Sequence, residues 1–420
     1  MMPILEICRQ AKTASRDLSQ TTSHQRNQIL LTLADVLKNK QTAILEQNLV
    51  DYAESESNGL NPAMLERLKL DEKRIAAMAD GVRAITTLPD PLDQQFDQKE
   101  LPNGLQIYKQ RVPLGVLAVI YESRPNVTID VAALAIKSGN AVILRGGKET
   151  LRTNAVLVGC IRAALKHHGM PEGVVQFIDN PDRGLVDELL KMYLYVDMLI
   201  PRGGAALHTY CREHSLIPVI TGGIGICHLF IDASADLPRA LEVITNAKIQ
   251  RPTVCNALDT VLLHEKITHT FLQSLIERMA QEKVTLHIPS DVLQQWVIDP
   301  SEYIRPISEG DYDREWLSLD LGVKVVRDVD EAIAFIGEHS TGHSDGIMTE
   351  KDTNAAHFLR VVDSAVVYVN ASTRFTDGAE LGLGAEVAIS TQRLHARGPM
   401  ALPELTTYKW VVKGNYHTRT

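Results

Sequence analysis

The sequence predicts an α/β protein that contains doubly wound parallel sheets. From residue 116 onward, short runs of β-branched and other apolar residues alternate with segments of helical periodicity. The runs at residues 116–121 and 141–144 carry no charged side chain, which is typical of strands buried on both faces. The same alternation starts again after Ile226, and 420 residues suffice for two or three domains. We therefore expect two α/β regions in one chain.

The first 90 residues are predicted to be helical, because apolar residues recur at intervals of three or four, as across residues 29–37. A Pro-Asp-Pro segment at residues 89–91 ends this region as a loop. Asn103-Gly104 is a hairpin signal, and the alternating segment 105–112 that follows it predicts a strand.

Two α/β regions follow, and in both of them alternating strands and helices indicate a parallel sheet. In the first, the predicted strands are residues 116–121, 141–144, 174–178, 197–200 and 219–223, with helices at 127–137 and 154–167. In the second, the predicted strands are residues 229–231, 260–263, 285–287, 321–326 and 365–369, with helices at 237–247 and 267–279. Residues 405–414 predict a terminal strand that has no evident partner in either region, so we expect it to pair with another segment or another subunit.

Composition excludes several classes of protein. The net charge of −9 argues against general nucleic-acid binding. No apolar run approaches the roughly 20 residues that span a bilayer, and no basic segment leads into an apolar one at the N-terminus. Five cysteines without a C-x-x-C pair, and scattered histidines, predict a reducing compartment and no metal site. We expect a cytoplasmic protein without membrane contact.

Two glycine pairs follow predicted buried strands and precede helical segments: Arg145-Gly146-Gly147, continued by Lys148, and Arg202-Gly203-Gly204. Ligands of doubly wound sheets bind beyond the carboxyl ends of the strands, where both pairs are expected to lie. A helix N-terminus with an adjacent arginine can hold a phosphate. Neither pair forms the G-x-G-x-x-G fingerprint, and the alternative interpretation of each is a tight turn.

Cys255 is the candidate nucleophile. It follows a polar turn interrupted by Pro252 and precedes a β-branched run, so its thiol is presented from a loop at the start of a strand. Its neighbours Gln250, Arg251 and Asn256 could hold a thiolate or an oxyanion, and positive charge favours the nucleophilic thiolate. The alternative is an inert core cysteine, which is our interpretation of the other cysteines.

Several segments, in the same order, resemble the aldehyde dehydrogenase superfamily. They are residues 112–116, 121–127, 137–147, 200–204, 248–256, 369–378 and 394–400. The resemblance implies a Rossmann-like cofactor domain, an α/β catalytic domain and a small β oligomerisation element. The implied limits are 1–103 and 118–228, rejoined by 376–398, for the cofactor domain; 229–375 for the catalytic domain; and 104–117 with 399–420 for the oligomerisation element. That element would give the terminal strand a partner and make the protein a homo-oligomer.

The resemblance also implies roles for individual residues. Cys255 matches the catalytic thiol, and Asn126 matches the asparagine whose amide helps to bind the oxyanion. Arg145 stands where the superfamily usually has a lysine that contacts the adenosine ribose. Glu315 fits the glutamate that holds the nicotinamide ribose, although Leu317 replaces an aromatic residue of the pattern. The implied cofactor-binding set is Arg145, Gly146, Gly147, Lys148, Gly203, Gly204 and Glu315, and the implied cofactor is NADPH.

One departure from the superfamily bears on the reaction. Hydrolytic members carry a glutamate base before a Gly-Gly pair, whereas this chain has Thr221 before Gly222-Gly223. Without that base, a thioester resists water, which suits an acyl group exchanged with phosphate. The closest resemblance is to the branch that reduces γ-glutamyl phosphate to glutamate 5-semialdehyde in proline biosynthesis.

This branch implies a small-molecule substrate bound by Arg124, Arg251, Ser372, Thr373 and Arg374. For Arg124 and Arg251, structural salt bridges are the alternative interpretation. A separate glutamate 5-kinase would supply the acyl phosphate, and a transient contact with it stays open. The rival hypotheses are a coenzyme-A-acylating aldehyde dehydrogenase and a binding protein that has kept the fold without catalysis.

Overall fold

The computed structural model describes residues 2–222 and 224–419. The chain divides into two compact units. The first comprises Met1–Thr221, Gly382–Ala388 and Met400–Thr420, and the second comprises Gly222–Leu381 and Ile389–Pro399. The domain limits implied by the resemblance stay a prediction.

Most of the predicted helices and strands are present in the predicted order, and the structure contains further elements that the sequence patterns did not reveal. The helices are α1 (Ile4–Ser19), α2 (Ser23–Asn39), α3 (Gln41–Ser57), α4 (Pro62–Leu68), α5 (Glu72–Thr87), α6 (Pro125–Lys137), α7 (Leu151–His167), α8 (Gly184–Leu189), α9 (Ala205–His214), α10 (Leu237–Ile249), α11 (Glu265–Gln281), α12 (Ser290–Gln295), α13 (Val329–His339) and α14 (Asp352–Val361). The strands are β1 (Gln95–Glu100), β2 (Gln106–Pro113), β3 (Val116–Tyr121), β4 (Ala141–Arg145), β5 (Val175–Phe177), β6 (Met198–Arg202), β7 (Cys227–Ile231), β8 (Leu258–His264), β9 (Thr285–Ile288), β10 (Ile304–Pro306), β11 (Asp320–Val326), β12 (Ser344–Met348), β13 (Val366–Val369), β14 (Ala388–Ser390), β15 (Gly398–Met400) and β16 (Thr406–Lys413). In the described part of the chain, every helix is too short or too polar to span a bilayer.

The helical prediction for the N-terminal region is confirmed by α1 to α5. Helix α2 begins with a capping box: the Thr22 hydroxyl accepts from the Gln25 backbone N–H, and the Gln25 side chain accepts from the Thr22 N–H. Asp71 caps α5 in a similar way by accepting from the N–H of Arg74. Local sequence therefore sets where these helices start.

The first unit contains a parallel sheet in the order β5-β4-β3-β6. The chain runs from β3 through β4 to β5 and then returns to the other side of β3, so the topological switch point lies between β3 and β6. The carboxyl ends of these two strands lead into the residue pairs Glu122-Ser123 and Gly203-Gly204. In open α/β sheets, ligands bind at such a point.

The predicted fifth strand, residues 219–223, is wrong. Val219 makes only an isolated parallel bridge to Leu199, and Gly222 bridges to Ser390 instead. Pro218 has no N–H to continue a ladder, and a glycine pair follows at once, so the apolar run is too short to form a strand. Gly223 itself lies outside the described residues.

The second unit contains a parallel sheet in the order β10-β9-β11-β8-β7-β12-β13. Sequence patterns missed β12, a strand buried along its whole length. It begins with Ser344-Asp345, and a carboxylate is rare in a buried strand. Asp345 is tolerated because it accepts hydrogen bonds from His228, Ser340 and Ser364.

An antiparallel sheet in the order β1-β2-β16 gives the terminal strand its partner. Residues 406–413 pair with 106–113 over eight positions. The Asn103-Gly104 turn lies between β1 and β2, and Gly104 has a φ of +86°, which favours glycine. Strand β1 was not predicted, because its segment is polar and exposed on nearly every position.

Candidate active site

The two glycine turns lie at the carboxyl edge of the first unit's sheet, as expected. A Cβ on Gly146 would lie 2.2 Å from Asn154 Nδ2, and one on Gly203 would lie 2.7 Å from the Glu122 carboxyl carbon. A larger residue at either position would therefore require the neighbouring side chain to move. Gly204 has open space around it and precedes α9, whose N-terminus has no side-chain cap. Bare N–H groups at a helix start suit an anionic phosphate.

Arg145 lies at the end of β4, where hydrogen bonds to backbone carbonyls orient its guanidinium. Its Nη1 donates to the Gly146 carbonyl at 3.0 Å, and its Nη2 donates to the Pro181 carbonyl at 3.0 Å. Its Nε is buried without a partner among the described residues. Burial lowers the pKa of the Arg145 guanidinium, and the Glu149 carboxylate partly offsets that effect. Lys148, by contrast, is exposed on the turn that follows.

Asn126 lies in the first turn of α6, after Arg124 at the N-cap and Pro125 at the first helical position. Its Nδ2 donates to Asp130 Oδ2 one turn further on, at 2.9 Å. One amide hydrogen is thus engaged, and the other is left for a second acceptor. Burial raises the pKa of Asp130 to about 6, against the opposing effects of the Asn126 hydrogen bond and the Arg202 charge.

Cys255 lies in the loop between α10 and β8, at the amino edge of the second unit's sheet. It is half-buried, whereas Cys8, Cys160, Cys211 and Cys227 are buried. Two neighbouring residues contact the backbone carbonyl of Cys255. A Cβ on Gly225 would lie 1.5 Å from the Cys255 carbonyl oxygen, and Cys227 Sγ donates to that same oxygen at 3.2 Å.

The loop at residues 372–377 is fastened to the residue after the cysteine. Asn256 Nδ2 donates to the carbonyls of Arg374 and Thr376, at 3.3 and 2.9 Å, and Thr373 Oγ1 donates to the Asn256 carbonyl at 2.7 Å. Thr373 is fully buried and Ser372 nearly so, and the Ser372 hydroxyl accepts from the Arg374 N–H. Both hydroxyls are therefore engaged within the protein, and Arg374 is the member of this predicted trio best placed to bind a ligand.

Arg374 is oriented by Gln250, whose Oε1 accepts from Arg374 Nε at 3.0 Å. Burial lowers the pKa of the Arg374 guanidinium, and the like charge of Arg251 lowers it further, while Cys255 acts in the opposite direction. The Arg374 guanidinium thus interacts electrostatically with both Arg251 and Cys255. A guanidinium near a cysteine favours the thiolate and can bind an anion.

Glu315, like Cys255, lies at the amino edge of the second unit's sheet. Its Oε1 accepts from the N–H of Gly225 at 3.0 Å, and Gly225 is the glycine that packs against Cys255. The next residue, Trp316, donates its N–H to Asp259 Oδ1 at 2.9 Å. Asp259 also accepts from the N–H of Cys227, so one buried carboxylate links the Glu315 segment to the start of β7.

The structure therefore gathers Cys255, Arg251, Arg374 and Glu315 in the second unit, while Asn126, Arg124, Arg145 and the glycine turns belong to the first. Thr221 is the last residue of the first unit and is partly exposed. Sequence reasoning missed the supporting residues Asp130, Asp259 and Cys227. The i,i+4 spacing of Asn126 and Asp130 on one helix could have revealed the first pair. Among the described residues, no His, Cys, Asp and Glu side chains cluster to hold a metal ion.

The chain is similar to known proteins over nearly its whole length. The aldehyde dehydrogenase family matches residues 3–294. The γ-glutamyl phosphate reductase of Escherichia coli O1:K1 is 55% identical over 409 residues, which cover 97% of this chain and 98% of its relative. The crystal structure of γ-glutamyl phosphate reductase from Thermotoga maritima matches 100% of both chains with a TM-score of 0.97 at 43% identity. An acetylating aldehyde dehydrogenase from Geobacillus thermoglucosidasius, at 18% identity and a TM-score of 0.69 over 99% of this chain and 97% of its own, shares the fold.

The fold and these matches define an oxidoreductase with a nicotinamide cofactor and a small-molecule substrate. The chain belongs to the aldehyde dehydrogenase family and, within it, to the γ-glutamyl phosphate reductases. The predictions of this superfamily, of its α/β fold and of an oxidoreductase are confirmed.

The residues of the first unit fit a nicotinamide dinucleotide. The bare turn at Gly203-Gly204 precedes an uncapped helix, which suits a pyrophosphate. Arg145 presents an oriented guanidinium with an unpartnered Nε at the end of the neighbouring strand β4. Guanidinium groups favour phosphate oxygens over neutral ligands.

Proposed function

We propose that this enzyme reduces γ-glutamyl phosphate to glutamate 5-semialdehyde and phosphate at the expense of NADPH, the second step of proline biosynthesis from glutamate. The observation that carries the proposal is the half-buried Cys255, whose carbonyl packs against Gly225 and whose thiol interacts electrostatically with the Arg374 guanidinium. The activity named for the relatives of Escherichia coli and Thermotoga maritima supports it.

In the proposed reaction, the Cys255 thiolate attacks the acyl carbon of the substrate. The Asn126 amide, assigned by family resemblance, and a backbone N–H near Cys255 stabilise the oxyanion that forms. Phosphate then leaves and a thioester remains on Cys255. Phosphate is a good leaving group and needs no strong general acid, so an arginine suffices to neutralise its charge.

When bound, the reduced nicotinamide supplies the hydride that converts the acyl group to the aldehyde. The proposed cofactor ligands are Arg145, Gly146, Gly147, Lys148, Gly203, Gly204 and Glu315. Glu315 accepts a hydrogen bond from the Gly225 N–H, which orients its carboxylate on the segment that packs against Cys255. Arg145 would meet the 2′-phosphate that distinguishes NADPH from NADH.

The substrate has an anionic group at each end, the acyl phosphate and the α-carboxylate. Arg124, Arg251 and Arg374 are the proposed partners of these anions, because arginine binds both groups in a bidentate way. Ser372 and Thr373 contribute by holding the Arg374 loop, since their hydroxyls bond within the loop and to Asn256.

The threonine at position 221 provides the test. In the oxidative direction, with glutamate 5-semialdehyde and NADP⁺, the acyl-enzyme should wait for phosphate because no carboxylate base activates water. In phosphate-free buffer, rapid mixing should show at most one NADPH per active site. Phosphate or arsenate should restore steady turnover.

Two results would contradict the proposal. Steady NADPH formation without phosphate would mean that water deacylates Cys255, as in a hydrolytic aldehyde dehydrogenase. Steady turnover that requires coenzyme A, and that phosphate does not support, would assign the chain to the coenzyme-A-acylating enzymes.

We further propose that the protein works in the cytoplasm as a homo-oligomer and receives its unstable substrate from a glutamate 5-kinase. The five free cysteines support a reducing compartment. Tyr408, Trp410 and Val412 are exposed on β16, which pairs with β2 on one side, and this supports subunit contacts at that sheet.

A further inference from the structure

Ser123 has a backbone conformation that L-residues rarely adopt. Its φ is +35°, although it is not a glycine. It is buried and lies between the end of β3 and the start of α6, three residues before Asn126. Non-glycine residues in this region cost free energy, and they persist where surrounding interactions over-determine them.

The interaction that holds Ser123 comes from the turn after β4. Glu149 Oε1 accepts two hydrogen bonds from Ser123, one from its N–H at 2.8 Å and one from its hydroxyl at 2.6 Å. The carboxylate lies directly over Gly147, where an added Cβ would be 2.1 Å from Glu149 Oε1. Gly147 is thus needed to let Glu149 reach Ser123.

The hydrogen bonds between Ser123 and Glu149 matter because α6 has no side-chain cap at its N-terminus. Further along the helix, a buried network fixes α6 to the start of α7. The Tyr121 hydroxyl bonds Thr128 Oγ1 at 2.6 Å, Thr128 Oγ1 donates to Asn154 Oδ1 at 2.9 Å, and Asn154 Nδ2 donates to Thr150 Oγ1 at 2.8 Å. The network meets α6 at Thr128, whereas the Ser123–Glu149 pair lies before the entry of the helix, on the other side of Asn126.

We propose that Glu149 is a positioning residue for the reaction: by holding Ser123 in its left-handed conformation, it sets the first turn of α6 and the direction of the Asn126 amide. The proposal rests on the oxyanion role of Asn126 in the proposed function. Glu149 has a second and separable effect, because its charge faces Arg145. It therefore joins the turn that carries Arg145 to the segment that carries Asn126.

Two substitutions separate the hydrogen bonds from the charge. Glu149→Ala removes both, whereas Glu149→Gln removes the charge and keeps an oxygen that can accept from Ser123. Glu149→Ala should lower kcat by about tenfold or more, since small misplacements of catalytic groups cost factors of up to about 100. Glu149→Gln should recover most of that loss. The KM for NADPH should change alike in both variants, because both lack the charge beside Arg145.

A double-mutant cycle tests whether Glu149 acts through Asn126. Asn126→Ala should lower kcat by about 10²–10³, the usual cost of one oxyanion donor. In that background, adding Glu149→Ala should cost less than about twofold, because the amide that it positions is gone. Ser123→Ala, which removes one of the two bonds, should cost less than Glu149→Ala and should likewise have no effect beside Asn126→Ala. It also provides the test if Glu149→Ala does not fold.

Asp182→Ala is the matched control, because it removes a carboxylate next to Pro181, the residue that Arg145 contacts, without touching Ser123. It should leave kcat within about twofold of the wild type, as for most surface substitutions. If Asn126→Ala costs turnover and the Glu149→Ala loss simply adds to it, or if Glu149→Gln is as impaired in kcat as Glu149→Ala, the inference is overturned and the proposed function stands. If Asn126→Ala leaves kcat unchanged, the oxyanion role fails and the inference fails with it.

Discussion

Individual side chains divide into those that face a ligand and those that serve the fold, and the cysteines illustrate the division. Burial raises the pKa of Cys8 to about 12 and that of Cys160 and Cys211 to about 11, and it raises the pKa of Cys227 as well. These four thiols stay protonated at neutral pH and are poor nucleophiles. Cys255 is partly exposed and interacts electrostatically with the Arg374 guanidinium.

Cys255→Ser should therefore remove turnover while folding and cofactor binding stay close to normal. A serine hydroxyl with no adjacent base is a far weaker nucleophile than a thiolate. Iodoacetamide should modify one thiol per native chain in the wild type and none in the variant, as counted by intact mass. A variant that keeps more than a few per cent of the wild-type rate would rule out covalent catalysis at this position.

The raised pKa of Asp130 predicts that kcat falls on the acidic side of its pH profile. Its pKa of about 6 means that the carboxylate is ionised at neutral pH and becomes protonated as the pH falls below about 6. Protonation weakens its hydrogen bond to the Asn126 amide, because a charged acceptor binds more strongly than a neutral one. We expect kcat to decline below pH 6 in the wild type. Asp130→Asn should have a lower kcat that does not change across that range, and an unchanged limb would assign the ionisation to another group.

Arg145→Ala should raise the KM for NADPH more than that for NADH, because the loss of a charge-assisted bond to the 2′-phosphate costs about 1.5–3 kcal/mol. Steady-state kinetics with both cofactors provide the measurement. An equal rise in KM for the two cofactors would show that Arg145 does not contact the 2′-phosphate and that its role is to shape the turn.

At the level of secondary structure elements, the ends of strands β3, β6, β7 and β8 place several of the candidate residues. In the first unit, Glu122-Ser123 and Gly203-Gly204 follow the carboxyl ends of β3 and β6, as the rule for open α/β sheets requires. In the second unit, Cys255 precedes the amino end of β8, and Gly225 precedes that of β7. The rule therefore locates the glycine turns but would have misplaced the cysteine.

The close packing of these two segments makes Gly225 indispensable. In Gly225→Ala, the new methyl group would overlap the Cys255 carbonyl, from which its ideal position is only 1.5 Å away, so the cysteine loop must move. We expect kcat to fall by about 100-fold, the cost of misplacing a catalytic group. Gly81→Ala is the control, because Gly81 lies in α5 with open space around it and should gain about 0.5–1 kcal/mol in the free energy of unfolding. Equal activity of the two variants would contradict this account.

For the molecule as a whole, the residues with proposed roles are divided between the two units. The first carries the glycine turns, Arg145 and Asn126, and the second carries Cys255, Arg251, Arg374 and Glu315. By resemblance, Thr221, at the end of the first unit, occupies the position of the base of hydrolytic members. In the proposed reaction the acyl group therefore waits for phosphate, the nucleophile that this reaction supplies.

Thr221→Glu should allow slow oxidation of glutamate 5-semialdehyde in phosphate-free buffer, because a carboxylate base can activate water toward the thioester. Thr221→Gln is the matched control, since it has the same size and no basic carboxylate. We expect steady NADPH formation without phosphate in the glutamate variant alone. If the glutamine variant gains the same activity, a change in water access rather than a base is responsible.

Patterns within short segments were sufficient to predict most elements. Helical periodicity revealed α1 to α5, and uninterrupted apolar runs revealed β3 and β4, because these signals depend on residues a few positions apart. The order of the motifs was sufficient to identify the superfamily and to propose Cys255 as the nucleophile. By contrast, sequence patterns did not predict β12, because a carboxylate such as Asp345 is rare in a buried strand. The partners that stabilise Asp345 lie on other elements, so only the structure reveals them.

The supporting interactions could be found only in three dimensions. Glu149 bonds Ser123 across 26 positions, and Cys227 meets the Cys255 carbonyl across 28, distances over which no sequence period connects the partners. Sequence identifies the residues that carry chemistry, because the thiol, amide and guanidinium groups concerned stand in ordered motifs. The folded chain decides which carboxylates and glycines hold those groups in place, since such contacts arise between elements that become neighbours only when the sheets assemble.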